Sequence, residues 1–79
     1  MKVSDADRAL MRVAERAANA VIRSYGFCGS VEVVEGDESP EVTATGCDSC
    51  RRFVQVAGQS AMLAVSLLAF AADGERYDA

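Results

Sequence analysis

Twenty consecutive residues, Phe53 to Ala72, carry no charge. In a chain of 79 residues this run decides what the rest can do. It has the length of a membrane span, with Arg51 and Arg52 before it and Asp73 after it. Gln55, Gly58, Gln59, Ser60 and Ser66 lower its hydropathy and favour a helix of a small soluble domain. The spacing predicts a helix over 48–72, capped by Asp48 or Ser49 and ended by Asp73-Gly74. Phe53, Val56, Ala57, Ala61, Ala64, Leu67, Leu68 and Ala71 form one stripe on it. Val54, Met62, Val65 and Phe70 lie off that stripe. A helix apolar nearly all round is buried on more than one side. The rest of so short a chain cannot cover every face, so a homodimer through this helix is expected.

The remainder supplies one matching apolar stripe to pack against it. Residues 4–24 predict a first helix, with Ser4 as cap and Asp5 and Asp7 at the positive end of its dipole. Leu10, Val13, Ala14, Ala17, Val21 and Ile22 recur at spacings of three and four and form its apolar stripe. Gly26 stands where a C-terminal cap belongs. Between the helices, Val31, Val33 and Val34 favour a strand, and 42–45 favour another. Gly36-Asp37-Glu38-Ser39-Pro40 is turn chemistry. A β-hairpin over 30–35 and 41–46 follows, with Val31, Val33, Val42 and Ala44 inward and Glu32 and Glu41 outside. The fold class is α+β: one domain over 1–79, helix–β-hairpin–helix, with 74–79 a loose tail.

Charge is distributed unevenly. The chain holds 8 Lys and Arg against 12 Asp and Glu, a net charge of −4. From Ser24 to Cys50 there is no Lys or Arg. That stretch carries Glu32, Glu35, Asp37, Glu38, Glu41 and Asp48, a formal charge of −6, so the rest (+8 and −6) nets +2. The negative excess lies around the hairpin. Edge carboxylates protect a sheet from aggregation; they also form a surface complementary to a basic partner. Arg8, Arg12 and Arg16, four residues apart on the first helix, read as a solvated face.

No catalytic set emerges. With no histidine in the chain, an imidazole base and an imidazole metal ligand are excluded, and no enzymatic activity is expected. Cys47-Asp48-Ser49-Cys50 is a C-x-x-C at a helix start, where the dipole and Arg51 and Arg52 favour thiolate. It resembles the redox motif of thioredoxin-like proteins at those four residues. With Cys28 it also makes three of the four ligands a structural zinc site wants. The simpler reading takes the cysteines as half-buried fillers, with no metal and no cofactor. Three cysteines are a poor disulfide framework and fit a reducing compartment. Met1 to Asp7 lacks a signal sequence's apolar run, so a cytoplasmic location is expected.

In size, acidity, compactness and lack of a catalytic set, the chain is similar to the small anti-CRISPR and DNA-mimic proteins of phages. The similarity is one of type and covers no motif. It implies a non-enzymatic inhibitor that binds a basic, nucleic-acid-binding protein surface, such as a CRISPR effector complex, and no nucleic acid directly. Glu32, Glu35, Asp37, Glu38 and Glu41 would stand in for phosphates. A thiol-redox or zinc protein using Cys28, Cys47 and Cys50 is the alternative, and a single-span membrane protein is another.

Overall fold

The computed structural model describes residues 4–78, with side chains described as far as Ala72. Helix α1 (Asp5–Ser24) leads into a hairpin of β1 (Val31–Glu35) and β2 (Pro40–Ala44), and α2 (Asp48–Asp78) closes the chain. This is the expected α+β order.

The local signals act where the sequence places them. Ser4 Oγ accepts the Asp7 amide at 3.1 Å and caps α1. At the other end Gly26 N–H donates to Arg23 O and Phe27 N–H to Ile22 O, both at 3.1 Å. That pair of bonds is the Schellman pattern, and Phe27 joins the core cluster that holds Ile22. The strands pair antiparallel from Val31↔Ala44 to Glu35↔Pro40. The turn is one residue shorter than expected. Pro40 opens β2 opposite Glu35, a strand-start position that asks no amide of it. Beyond the strand, Thr45 N–H still bonds Ser30 O at 3.0 Å.

Both helices are rotated from the faces expected of them. On α1 the buried residues are Met11, Ala14, Ala18 and Ile22, while Val13 and Val21 are exposed. The reason is polar. Val31 and Val33 of β1 turn their amides and carbonyls away from β2 and toward α1. Asn19 Nδ2 donates to Val31 O at 3.1 Å, and Asn19 Oδ1 accepts Val31 N–H at 2.7 Å. One turn earlier Glu15 Oε1 accepts Val33 N–H at 2.9 Å, and Arg12 donates to Val33 O. Arg12 is held by Glu15 at 3.0 Å, and Arg8 reaches Glu35 at 2.8 Å. So Arg8 and Arg12 join helix to hairpin rather than forming a purely solvated face.

On α2, Val54 and Gly58 are buried and Ala57, Ala61 and Met62 lean on the core, whereas Phe53, Val56, Leu67, Leu68 and Phe70 are exposed. Closeness of approach sets this face. A Cβ on Gly58 would lie 2.5 Å from a Val42 methyl and 3.0 Å from one of Val31. Small residues therefore let α2 cross under the hairpin. The core is Met11, Ala14, Ala18, Ile22, Val31, Val33 and Val54.

Helix α2 does not stop at Asp73-Gly74 but continues to Asp78. One glycine costs a helix about 1 kcal/mol relative to alanine, and no proline follows to end it. Of the expected loose tail over 74–79, the helical backbone covers 74–78; Ala79 and the side chains from Asp73 onward lie outside the described residues.

Asn19→Ala leaves two backbone groups of β1 without their partner in a half-buried place. It should lower unfolding stability by about 1–3 kcal/mol in denaturant titration. Arg16→Ala, on the exposed side of the same helix, should stay within about 0.5 kcal/mol. Equal effects of the two would contradict the role given to Asn19.

Candidate functional site

The three cysteines come from three backbone contexts. Cys28 sits in the loop between α1 and β1. Cys47 follows β2, and Cys50 lies in the first turn of α2. Their sulfurs all lie within 4.8 Å of one another. The two loops that carry Cys28 and Cys47 cross backbone to backbone. A Cβ on Gly29 would lie 1.9 Å from Thr45 O, and one on Gly46 2.8 Å from Cys28 O. Both glycines have positive φ, +103° and +140°. No other residue type allows that crossing, and the crossing sets Cys28 against the start of α2.

Cys47, not Asp48 or Ser49, occupies the cap of α2. Its carbonyl accepts Cys50 N–H at 3.1 Å and Arg51 N–H at 2.9 Å, the first bonds of the helix. Its own amide donates to Cys28 Sγ at 3.1 Å, and its sulfur lies 3.5 Å from Ser49 Oγ. Hydrogen bonds at its sulfur hold the Cys47 thiol well below its ordinary 9.0, at about 6. The Cys28 thiol contributes most, then the Ser49 hydroxyl, then the side chain and amide of Cys50. Hydrogen bonds, rather than arginine charge, favour the thiolate: Arg51 donates to Gly46 O at 3.2 Å and lies 3.7 Å from Asp48, bracing the loop. Cys50 moves the other way. A backbone hydrogen bond at Cys28 favours its thiolate, but hydrogen bonds to the Cys47 and Cys28 sulfurs, with some desolvation, outweigh it and raise the thiol. Of Cys47 and Cys50, Cys47 is therefore the one that favours thiolate.

The sequence pairs Cys47 with Cys50 by spacing and offers Cys28 as a third ligand, and the fold brings all three together. The signal that reaches Cys28 is a mirrored one: Cys28-Gly29 before the hairpin and Gly46-Cys47 after it. A glycine beside each cysteine, just outside paired strands, marks two backbones in close contact. Three convergent thiols suit a thiophilic metal ion or thiol–disulfide chemistry. Cys28 and Cys47 are exposed and Cys50 is half-buried, so one side of the cluster faces solvent.

The hairpin carboxylates are not gathered in the same way. Glu32, opposite Thr43, and Glu41, opposite Val34, share the outer face of the sheet. Glu35 turns to Arg8. Asp37 and Glu38 lie in the exposed turn. The acidic residues therefore occupy an outer face, a tip and an intramolecular ion pair.

The chain matches no protein family, no curated protein and no solved structure.

In the metal-free protein the Cys47 thiolate predominates above pH 6. Its folded pKa lies below that of a free thiol, so its contribution to stability is full above pH 9 and is lost as pH falls through about 6. Alkylation by iodoacetamide should reach half its maximal rate near pH 6 at Cys47, with Cys50 modified only at higher pH. A rate that rises only above pH 8 at every cysteine would contradict this arrangement.

Proposed function

We propose that the protein is a small metal-binding protein that holds one thiophilic divalent ion, zinc foremost, on Cys28, Cys47 and Cys50. One observation carries the reading: three sulfurs from three separate backbone contexts, all within 4.8 Å of one another. Zinc binds thiolate at about 2.3 Å, which sets tetrahedral sulfurs about 3.8 Å apart. Rotations of exposed thiols close that gap without moving the backbone. The fourth position is open, because the two exposed thiols face solvent. The Asp48 carboxylate is fully exposed beside Arg51 and is not one of the three convergent groups. Binding displaces thiol protons, so affinity falls on acidification.

Cobalt(II) titration tests this reading. One ion per chain is expected, with sulfur-to-metal charge-transfer absorption. Added zinc should raise the melting temperature and a chelator should reverse it. Cys28→Ser should abolish binding as fully as Cys47→Ser. Uptake that ignores Cys28→Ser would refute the site. So would metal-indifferent protein with a Cys47–Cys50 disulfide, which would make the cluster a redox pair.

A second reading is a hairpin that binds a basic protein surface and inhibits it. It is supported by Glu32 and Glu41 lying on one outward face, away from the core. A CRISPR effector complex is the probe. Glu32→Lys/Glu41→Lys should slow association several-fold at low salt. The difference should shrink as the Debye length falls from about 10 Å at 0.1 M to about 3 Å at 1 M. Equal association of both forms, or none of either, removes this reading.

A further inference from the structure

The exposed side of α2 has a pattern. Phe53, Val56, Ser60, Leu63, Leu67 and Phe70 follow one another at spacings of three, four, three, four and three. All six are exposed, and the five apolar ones each keep more than half of their surface. This is the spacing of a two-helix seam, in which a and d positions repeat every 3.5 residues. It runs on the opposite side of α2 from Val54, Gly58 and Ala61, which face the hairpin and core. Within Asp48–Ala72 only Val54 and Gly58 are buried.

A bilayer is a poor occupant for this face. By length and composition the stretch is long and apolar enough to cross a membrane. The fold, however, packs the hairpin beside it. Pro40, Glu41 and Val42 line one shallow hollow with Gln55, Gln59 and Met62, so the hairpin accompanies α2 as far as Met62. Past that level, Leu63 to Ala72 span about 15 Å of helix, half of a hydrocarbon core of about 30 Å.

A second copy fits on three counts. A heptad seam is self-complementary. Its two ends carry opposite charge: Arg51 and Arg52 precede it, and Asp73 and Glu75 are the next charged residues in the sequence after it. An antiparallel pair sets unlike ends together. In that pairing Phe70 of one copy meets Phe53 of the other, Leu67 meets Val56, and Leu63 meets Ser60. At the Phe53 end each chain carries an apolar groove of about 350 Å³, where Phe53 stacks on Phe27 at 4.7 Å and Val21, Tyr25 and Val56 complete the walls. The far end of α2 carries the apolar residues that such a groove takes.

We infer that this face binds a second copy of the chain, antiparallel, with Leu67 and Phe70 of each copy seated in the Val21–Tyr25–Phe53–Val56 groove of the other. The inference does not rest on the metal site.

The test is sedimentation equilibrium of the full chain in chelator, at tens of micromolar, with a vesicle arm. The wild type should show a two-chain mass. Leu63→Glu/Leu67→Glu should raise the dissociation constant more than about 100-fold and keep the helical circular-dichroism signal, because both side chains lie outside the core. Phe70→Ser, well past the core, should weaken the dimer with the fold intact and serves if the double variant unfolds. Three results overturn the inference: a single-chain mass for the wild type, a dimer that both variants leave unchanged, or a mass above two chains. Flotation of the wild type as single chains with phosphatidylcholine vesicles also overturns it and makes the face a lipid surface.

Discussion

The structure depends on how α1 holds the edge of β1. Four residues of helix rise about 6.0 Å, and two residues of strand advance about 6.6 Å. Glu15 and Asn19 on one face of α1 therefore meet Val33 and Val31 on one edge of β1. Each side chain, with Arg12 assisting Glu15, satisfies an amide and a carbonyl that a third strand would otherwise take. A two-stranded hairpin is marginal alone in water. Here a helix closes one edge, and the inner face rests on Val54 and Gly58 of α2. With the hairpin placed, its two ends cross at Gly29 and Gly46, and the crossing gathers the three thiols.

The order of elements was legible in the sequence because local chemistry writes it. Ser4 caps α1, Gly26 ends it, and Gly36 to Ser39 turn the hairpin, each through a backbone bond that the residue type foretells. The faces of the helices were not legible by counting apolar residues. On α1 the polar pair Glu15 and Asn19 draws the helix around toward the sheet, and Val13 and Val21 are turned out. On α2 the small residues Ala57, Gly58 and Ala61 mark the closest approach, and the larger Phe53 and Leu67 are turned out. Periodicity locates an apolar stripe; only the partner decides which stripe is buried. The homodimer expectation arose from a helix too apolar for one chain to cover, and it remains a proposal, now with a defined seam.

The candidate site was legible in part. Cys47 and Cys50 announce themselves by spacing. Cys28 joins them through a tertiary crossing that no local pattern records, apart from the glycine beside each loop cysteine. The acidic residues show the reverse. Adjacent in sequence, they are dispersed by strand alternation and by the Arg8–Glu35 pair. Closeness in the chain therefore overstated the hairpin carboxylates as a unit and understated the cysteines. Proximity of sulfur atoms is also the more restrictive observation. Exposed carboxylates are common on any soluble surface, whereas two loops held at backbone contact by paired glycines are needed to bring these thiols together.

The central claim is that the hairpin crossing builds one metal site within one chain. X-ray absorption at the zinc edge of the zinc-loaded protein tests it directly. The account predicts three sulfur neighbours at about 2.3 Å and one oxygen or nitrogen at about 2.0–2.2 Å. A shell of four sulfurs, which takes a thiol from a second chain, or a shell of oxygen and nitrogen alone, would contradict it.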